Sequence, residues 1–223
     1  MQQNLLLNSA EIGCMLSHIS VWQKMVDDNI ETAMIAEDDI HVSDSFKNVL
    51  QQINIPKDAL AIFRLETHMA VMDVCRARFQ TIGKIGIYQI FNCHAGTAGY
   101  VLNRVTALHL LTQLKNMRLA IDSELFDPDK QIISGVKLYQ CIPCVLVQDD
   151  ALVKFNGVQS EEKSFLNSTI GEDRIDKKLG ITKAKNTSFK VRLKNLFRPL
   201  YLLIYSILLW PKNQKRLQIT YES

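Results

Sequence analysis

Length and composition already narrow the class of protein. The chain has 223 residues, of which 47% are hydrophobic and 22% charged, which excludes collagen-like and disordered chains. The length suffices for one catalytic domain with an appendage, or for two small domains. Because the five cysteines are odd in number and no signal peptide is recognisable, we expect free thiols and a cytoplasmic location. Cys141 and Cys144 have CxxC spacing, but without a second pair we expect buried thiols, not a zinc site.

The net charge of +3 conceals an asymmetry along the chain. Residues 1–176 hold 15 lysines and arginines against 22 acidic residues, whereas residues 177–223 hold 11 against a single glutamate. An acidic body therefore carries a basic C-terminal segment with a net charge of +10. Segments of this kind bind polyanions or anionic membranes, and here we expect a membrane surface as the partner and no nucleic acid.

The first predicted element is an amphipathic helix. Asn8 or Ser9 followed by Glu11 is typical of a helix N-terminus, with an acid in the first turn. Apolar residues then recur at spacings of three and four over residues 11–28, which indicates one buried face.

An acidic triplet follows the next predicted element. The apolar run 33–36 predicts a buried strand, whose carboxyl end carries Glu37, Asp38 and Asp39. Clustered carboxylates repel one another, so three together favour a bound cation, and hard divalent ions prefer oxygen ligands. The alternative is a solvated acidic turn, and the triplet alone does not decide between the two.

Later elements alternate between strand and helix. The pattern predicts helices over 44–52 and 105–114, strands over 59–65 and 138–147, and a turn at Gly83 and Gly86. Acidic residues again follow the strands, at Glu66 and at Asp149. Alternating elements of this kind predict an α/β domain, in which ligands bind at the edge where strands end.

The C-terminal region differs in composition from this domain. Residues 156–187 are polar and predict a linker. Residues 200–210 form an apolar run flanked by cations, and at about 16 Å of helix the run is too short to span a bilayer. We therefore predict a helix over 190–216 that lies in the membrane interface, the alternative being a helix docked on the body.

Several motifs together resemble glycosyltransferase family 25. The segment EIGCMLSH at 11–18, WQKMV at 22–26 and AEDD at 36–39 match the family in order and spacing. GTAGYVL at 96–102 and AID at 120–122 resemble later family segments, and the resemblance extends from about residue 8 to about 150. Members of this family build bacterial lipooligosaccharide, and related enzymes glycosylate collagen.

The resemblance implies roles for four acids. Asp39, with Glu37 and Asp38 beside it, matches the family position that binds Mn²⁺ or Mg²⁺ at the diphosphate of a nucleotide sugar. Such an ion stabilises charge on the leaving group. Asp122 matches another family acid and is the candidate general base for the acceptor hydroxyl, the alternative being a helix cap or loop acid.

Three further residues, His18, Gly96 and Thr97, remain open between two interpretations. His18 is a candidate donor or substrate ligand, or else a hydrogen-bonded structural histidine. Gly96 and Thr97 are candidate donor-binding residues, since the glycine permits either close approach to a ligand or an unusual turn angle. Arg64 and Glu66 are expected to form a salt bridge at a sheet edge.

The expected protein is a GT-A-like α/β nucleotide-sugar transferase with a basic, apolar helical tail. Its domains are a family 25 domain at 1–155, a linker at 156–187 and a membrane-associating tail at 188–223. The resemblance implies hexose transfer from UDP-galactose to a lipid-linked oligosaccharide on the inner face of the cytoplasmic membrane.

One departure from the family pattern leads to an alternative. Family members usually begin with a strand–helix–strand unit for the nucleotide, and this sequence starts after it, with Ala10 in place of the usual glycine. The alternative is therefore a non-catalytic remnant that binds a membrane or a partner enzyme. A metal-dependent phosphohydrolase is weaker, because no DxDxT-like nucleophile follows the first strand.

Overall fold

The computed structural model describes residues 7–92, 96–127, 129–149, 151–152 and 213–222. Its helices are α1 (Ser9–Asp27), α2 (Phe46–Gln52), α3 (Arg104–Thr112) and α4 (Ile121–Leu125), with 3₁₀ turns at Leu114–Asn116 and Gln131–Ile133. Its strands are β1 (Thr32–Ala36), β2 (Ile40–Val42), β3 (Ala61–Arg64), β4 (Glu66–Thr67), β5 (Val71–Cys75), β6 (Gln80–Ile82), β7 (Ile85–Gln89), β8 (Gly99–Asn103), β9 (Lys137–Ile142), β10 (Leu146–Gln148) and β11 (Gln214–Gln218).

A six-stranded mixed sheet organises the described residues, with strand order β1-β8-β3-β9-β7-β6. Only β3 and β9 run parallel in it, whereas β8 is antiparallel to both β1 and β3. A three-stranded sheet (β2-β10-β4) and the pair β11-β5 complete the strands. The predicted combination of strands and helices is confirmed. Because β8 runs antiparallel to β1, the start of β8 lies beside the end of β1, which assembles the site described below.

Helix α1 begins where the sequence predicts. The Asn8 side chain accepts from the backbone N–H of Glu11 at 2.7 Å, and the Glu11 carboxylate accepts from the N–H of Asn8 at 2.9 Å. This reciprocal capping box satisfies two donors that the helix itself leaves unpaired. His18, Trp22 and Met25 are buried at the spacing of one helix face.

Two strand predictions need correction. The run 33–36 lies in β1, but only Ile35 of this strand is buried, because β1 is an edge strand that pairs with β8 alone. The predicted strand 138–147 is two strands, β9 and β10. The break begins at Pro143, which has no backbone N–H to donate to a neighbouring strand and follows a cis peptide bond. Cys141 and Cys144 beside that bond are buried free thiols, as the isolated CxxC spacing predicted.

The C-terminal prediction is wrong where it can be compared. Residues 214–216, the end of the predicted helix 190–216, lie in β11, which pairs antiparallel with β5. The Arg216 guanidinium donates to the Asp73 carboxylate of β5 at 2.7 Å, so this positive charge is paired within the described fold. Residues 153–212, with the predicted linker and the apolar run, lie outside the described residues. Within the described part, no helix combines the length and apolar character needed to cross a membrane.

Candidate active site

Three chain segments converge at one edge of the structure. Glu37 follows β1, and its backbone N–H donates to the carbonyl oxygen of Ala98, just before β8, at 3.0 Å. Asp39 lies two residues further on, and its carbonyl oxygen accepts from the backbone N–H of Asp149, just after β10, at 3.0 Å. Backbone hydrogen bonds therefore hold the acidic triplet against the start of one strand and the end of another.

Glu37 is the central side chain of the site, and its two carboxylate oxygens face different partners. Its Oε1 accepts from the Thr97 hydroxyl at 2.8 Å and lies 3.7 Å from Nε2 of His18 and 4.0 Å from Sγ of Cys14. Its Oε2 accepts from the Gln148 amide at 3.1 Å. Burial raises the pKa of Glu37, but the nearby His18 imidazole, the Thr97 hydroxyl and the His68 imidazole outweigh it, so this pKa is lowered.

Asp39 faces the same amide as Glu37. The Gln148 side chain donates to Oδ1 and Oδ2 of Asp39 at 3.3 and 3.2 Å, so one amide spans two carboxylates. Burial, followed by the negative charge of Glu37, raises the pKa of Asp39 although the Gln148 hydrogen bond opposes the rise. The third acid, Asp38, points outward and is exposed. Glu37 and Asp39 are therefore the pair able to share a cation.

His18 lies behind Glu37, in a buried chain of hydrogen bonds. Its ring is 4% exposed, with Nδ1 2.8 Å from the hydroxyl of Tyr100, which also accepts from the Trp22 indole at 3.0 Å. The His18 and Tyr100 rings stack with their centroids 5.6 Å apart. These contacts fix the orientation of the His18 ring with Nε2 directed at Glu37, which fits either a structural histidine or one that binds a ligand through Nε2.

Gly96 joins Asp122 to the site. The backbone N–H of Gly96 is 3.4 Å from Oδ2 of Asp122, at the start of α4. Gly96 has φ +98°, and a Cβ there would lie 2.2 Å from the His68 ring and 3.0 Å from the Arg64 guanidinium. Both the backbone angle and the space therefore require glycine. The sequence offered the close approach of a ligand as one reason for a glycine at this position. In the structure, the atoms that come close to Gly96 are those of His68 and Arg64.

Asp122 also shares its surroundings with Cys14. Burial, and then the negative charges of Glu37, Asp122 and Asp39, raise the pKa of the Cys14 thiol to about 11, against the effect of a Thr97 hydrogen bond. Acids from two separate parts of the chain, Glu37 with Asp39 and Asp122, thus act by charge on one half-buried thiol. Asp122 is partly exposed, and both its place in the site and its role as a base stay predictions from the resemblance.

A buried ion pair lies beneath this surface. Arg64 and Glu66 are 1% and 0% exposed, with Nη2 and Oε1 3.4 Å apart, and the same Oε1 accepts from the N–H of Ala98 at 2.8 Å. The predicted salt bridge thus exists, but it is buried: Arg64 ends β3, an inner strand of the six-stranded sheet, and Glu66 begins β4, the edge strand beside β10. His68 Nε2 approaches Oε2 of Glu66 at 3.6 Å. Burial raises the pKa of Glu66 to about 7, against the Arg64 charge.

Sequence reasoning missed three of these residues. Gln148 carried a signal, because it ends an apolar strand before two acids, but an amide by itself identifies no chemistry. Tyr100 lies inside the GTAGY segment, although nothing there indicated that its hydroxyl meets α1. His68 follows Glu66 by two residues, which reveals nothing about its approach to Gly96.

The comparisons with known proteins agree with the motifs. The family model for glycosyltransferase family 25 (LPS biosynthesis protein) matches residues 2–125. This span is more than half of the chain and contains the acidic triplet, the GTAGY segment and Asp122. The chain therefore belongs to glycosyltransferase family 25, and the resemblance drawn from the sequence is confirmed.

Individual relatives point in the same direction. A putative glycosyltransferase of Haemophilus influenzae is 30% identical over 190 residues, which cover 84% of this chain and 65% of the relative. The lipooligosaccharide biosynthesis protein lex-1 of the same organism is 27% identical over 215 residues, covering 89% and 67%. A mouse protein, procollagen galactosyltransferase 2, is 40% identical over 47 residues, or 21% of this chain and 8% of its own. The chain thus spans about two thirds of the length of the two bacterial relatives.

Proposed function

We propose that this protein is a hexosyltransferase that moves a sugar, galactose from UDP-galactose, to a lipooligosaccharide acceptor. The observation that carries the proposal is the convergence of Glu37 and Asp39 on one amide, with Asp122 across the same site. The names of relatives support the acceptor class and the galactosyl donor. A GT-A-like arrangement, with the acids after a strand of the central sheet, is part of the same proposal.

The residues present fit a divalent cation. Glu37 Oε2 and the Asp39 carboxylate both lie within 3.3 Å of the Gln148 amide nitrogen, so their oxygens converge, and oxygen is the ligand type that Mg²⁺ and Mn²⁺ prefer. Burial, and then the negative charge of Glu37, raise the pKa of Asp39, and a bound cation would offset that charge. When bound there, the ion supplies positive charge to the diphosphate leaving group. Asp38, which is exposed, is proposed to contact the donor directly.

Asp122 is proposed as the general base. A base must reach the acceptor hydroxyl, and Asp122 is partly exposed beside Gly96 and close enough to Cys14 to act on its thiol by charge. The Gly96 N–H holds one carboxylate oxygen of Asp122, which limits the directions in which the side chain points. Thr97 is buried and donates to Glu37, so its proposed contribution to donor binding is to orient that acid.

The acceptor places the reaction at a membrane in this proposal. Residues 188–212 hold five of the cations of the basic segment and the apolar run 200–210. Near an anionic surface each cation contributes about 1 kcal/mol of attraction, so several together attach a protein reversibly. We propose peripheral association with the inner face of the cytoplasmic membrane, where a lipid-linked acceptor is presented.

The test is transfer by the purified chain, with UDP binding as a second readout. Wild-type protein with Mn²⁺ should transfer galactose from UDP-galactose to lipooligosaccharide and bind UDP more tightly when the ion is present. Asp39→Asn should abolish both effects, because an amide oxygen is a poorer ligand than a carboxylate. Asp58→Asn, an exposed acid outside the site, is the matched control. Metal-independent UDP binding with no transfer by the wild type would instead favour the non-catalytic alternative.

A further inference from the structure

Three side chains of different chemistry meet at the inner side of Glu37. The Cys14 thiol, the His18 imidazole and the Glu37 carboxylate each offer one ligand atom, and all three atoms lie within 4.8 Å of one another. Oε1 of Glu37 is 3.7 Å from Nε2 of His18 and 4.0 Å from Sγ of Cys14. The opposite oxygen, Oε2, is the one that faces Gln148 and Asp39.

From this geometry we infer that Cys14, His18 and Glu37 form a binding site for Zn²⁺, separate from the oxygen-lined position at Asp39. Sulfur and nitrogen ligands select zinc over the hard ions Mg²⁺ and Mn²⁺. Ligand atoms around a tetrahedral zinc ion lie about 3.3–3.8 Å apart, given bonds of about 2.0–2.3 Å. The 3.7 Å between Glu37 Oε1 and His18 Nε2 already falls in this range, and the separations to Cys14 Sγ, at most 4.8 Å, would have to shorten by up to about 1.5 Å on binding.

The surroundings of His18 support a ligand role. In metal sites the second ring nitrogen of a ligating histidine is hydrogen-bonded, which fixes the ring orientation. Here Nδ1 of His18 meets the Tyr100 hydroxyl, which has two acceptor lone pairs and receives the Trp22 N–H on one of them. In the tautomer with the proton on Nδ1, the other lone pair accepts that proton and the Nε2 lone pair faces Glu37; in the opposite tautomer the Tyr100 hydroxyl donates to Nδ1, and zinc binding requires the proton to leave Nε2.

Binding at this site changes protonation in a defined way. The Cys14 thiol releases its proton to solvent as sulfur bonds to the ion, and His18 binds as neutral imidazole through Nε2. Three protein ligands leave a fourth position for water. Because Glu37 is shared with the carboxylate pair proposed for Mn²⁺ or Mg²⁺, bound Zn²⁺ would compete with transfer. That consequence rests on the proposed function, whereas zinc binding itself does not.

Cobalt is the first probe, because a cobalt–thiolate bond gives a near-ultraviolet charge-transfer band that oxygen and nitrogen ligands do not. Wild-type protein with Co²⁺ alone should show this band, and added Zn²⁺ should remove it. Cys14→Ser should lack the band and Cys75→Ser should keep it, since Cys75 lies on β5, away from the site. Asp39→Asn should also keep it. A wild type without the band, or a band that survives in Cys14→Ser, would overturn the inference.

Alkylation of the wild-type protein gives a test that needs no variant. At a Zn²⁺ concentration ten times the Kd, the rate at Cys14, read by peptide mass spectrometry, should fall about tenfold, because about one protein in ten is then free. The rate at Cys75 should not change. Equal rates at Cys14 with and without Zn²⁺ would contradict the site. Neither experiment uses UDP or sugar transfer, so failure here is distinguishable from failure of the proposed function.

Discussion

Gln148 binds both carboxylate oxygens of Asp39 through a single side-chain nitrogen, at 3.3 and 3.2 Å. The same nitrogen also donates to Glu37, so the amide at the end of β10 sets the distance between two acids from a different part of the chain. Residues that orient metal ligands in this way are as important to a site as the ligands themselves.

The first prediction concerns this amide. Gln148→Leu keeps the side-chain size but removes both donors, so the two carboxylates are no longer held together. The Mn²⁺ concentration that gives half-maximal transfer should rise about 10–100-fold, the usual effect of losing an orienting partner. Gln51→Leu on the exposed face of α2 is the control and should behave as wild type. An unchanged Mn²⁺ requirement in Gln148→Leu would remove Gln148 from the site.

The second prediction concerns the hydroxyl that joins α1 to the sheet. Tyr100→Phe leaves the His18 and Trp22 nitrogens buried without this partner, so the free energy of unfolding should fall by about 1–3 kcal/mol. Urea denaturation measures the change. Tyr88→Phe is the matched control, because its hydroxyl bonds to the exposed Arg78 and the loss of that bond should cost less. Equal losses of unfolding free energy in the two variants would show that the buried hydrogen bonds of Tyr100 contribute no more than an exposed one.

The third prediction is a pH dependence of stability. Burial raises the pKa of Glu66 from 4.5 to about 7. Since the folded pKa is the higher one, the stabilisation from Glu66 is complete below about pH 4.5 and is lost as the pH rises through 7. Glu66→Gln cannot titrate, so relative to wild type it should gain on the order of 2 kcal/mol between pH 5 and 8.

Urea denaturation at several pH values measures that slope. Glu31→Gln, at a side chain that is 61% exposed, is the control and should retain the wild-type slope. If wild type and Glu66→Gln respond to pH in parallel, Glu66 titrates near its ordinary pKa and the burial argument fails.

The fourth prediction tests Asp122 as a base. Oδ1 of Asp122 accepts from the Ser123 N–H at 2.7 Å and Oδ2 accepts from the Gly96 N–H at 3.4 Å, so the single amide oxygen of Asp122→Asn can keep only one of these bonds. With the shorter bond to Ser123 kept, the start of α4 should persist and the Kd for UDP should stay near wild type. The kcat should fall about 10²–10⁴-fold, the usual contribution of a general base. Asp127→Asn, just after α4, serves as the control. If Asp122→Asn loses UDP binding along with turnover, Asp122 is a structural or donor-binding residue.

Local patterns in the sequence predicted the elements but not how they pair. The capping residues at Asn8 and Glu11 and the helical spacing through Met25 are local signals, and α1 follows them closely. That β8 lies antiparallel to β1 depends on contacts between residues about 65 positions apart, which no local pattern encodes. The edge position of β1 and the buried position of Arg64 both follow from this pairing.

The site was predictable to a similar degree. Acids after a strand, glycine near a loop and the motif order indicated Glu37, Asp39 and Gly96 as parts of one site. The partners that hold them were not predictable, because amides and hydroxyls such as those of Gln148 and Tyr100 acquire a role only through the tertiary structure. The prediction for the C-terminal segment failed for a different reason. Its charge pattern predicted one helix through residue 216, whereas residues 214–218 form β11, in which Arg216 pairs with Asp73 of β5.

The anchored end of the chain affects how membrane binding is tested. Removing residues 188–223 would also remove β11, Ile219, which is 1% exposed, and Glu222, which accepts from Ser43 and Ser45. If such a truncation lost membrane binding, the result would therefore not distinguish removal of the membrane-binding segment from unfolding of the catalytic domain. Substitutions confined to 188–212 avoid this difficulty.

The last prediction uses charge reversal within that range. Changing Lys190, Arg192, Lys194 and Arg198 to Glu should weaken binding to liposomes containing anionic lipid by at least about 10²-fold, since each cation contributes about 1 kcal/mol. Flotation with lipid vesicles measures the loss, and wild-type binding should weaken with salt because the attraction is screened. The control reverses the same number of exposed body cations: Lys47, Lys57, Lys115 and Lys137. Equal losses in both variants would mean that net charge alone drives attachment. Wild-type binding to neutral vesicles that salt does not weaken would contradict the interfacial proposal.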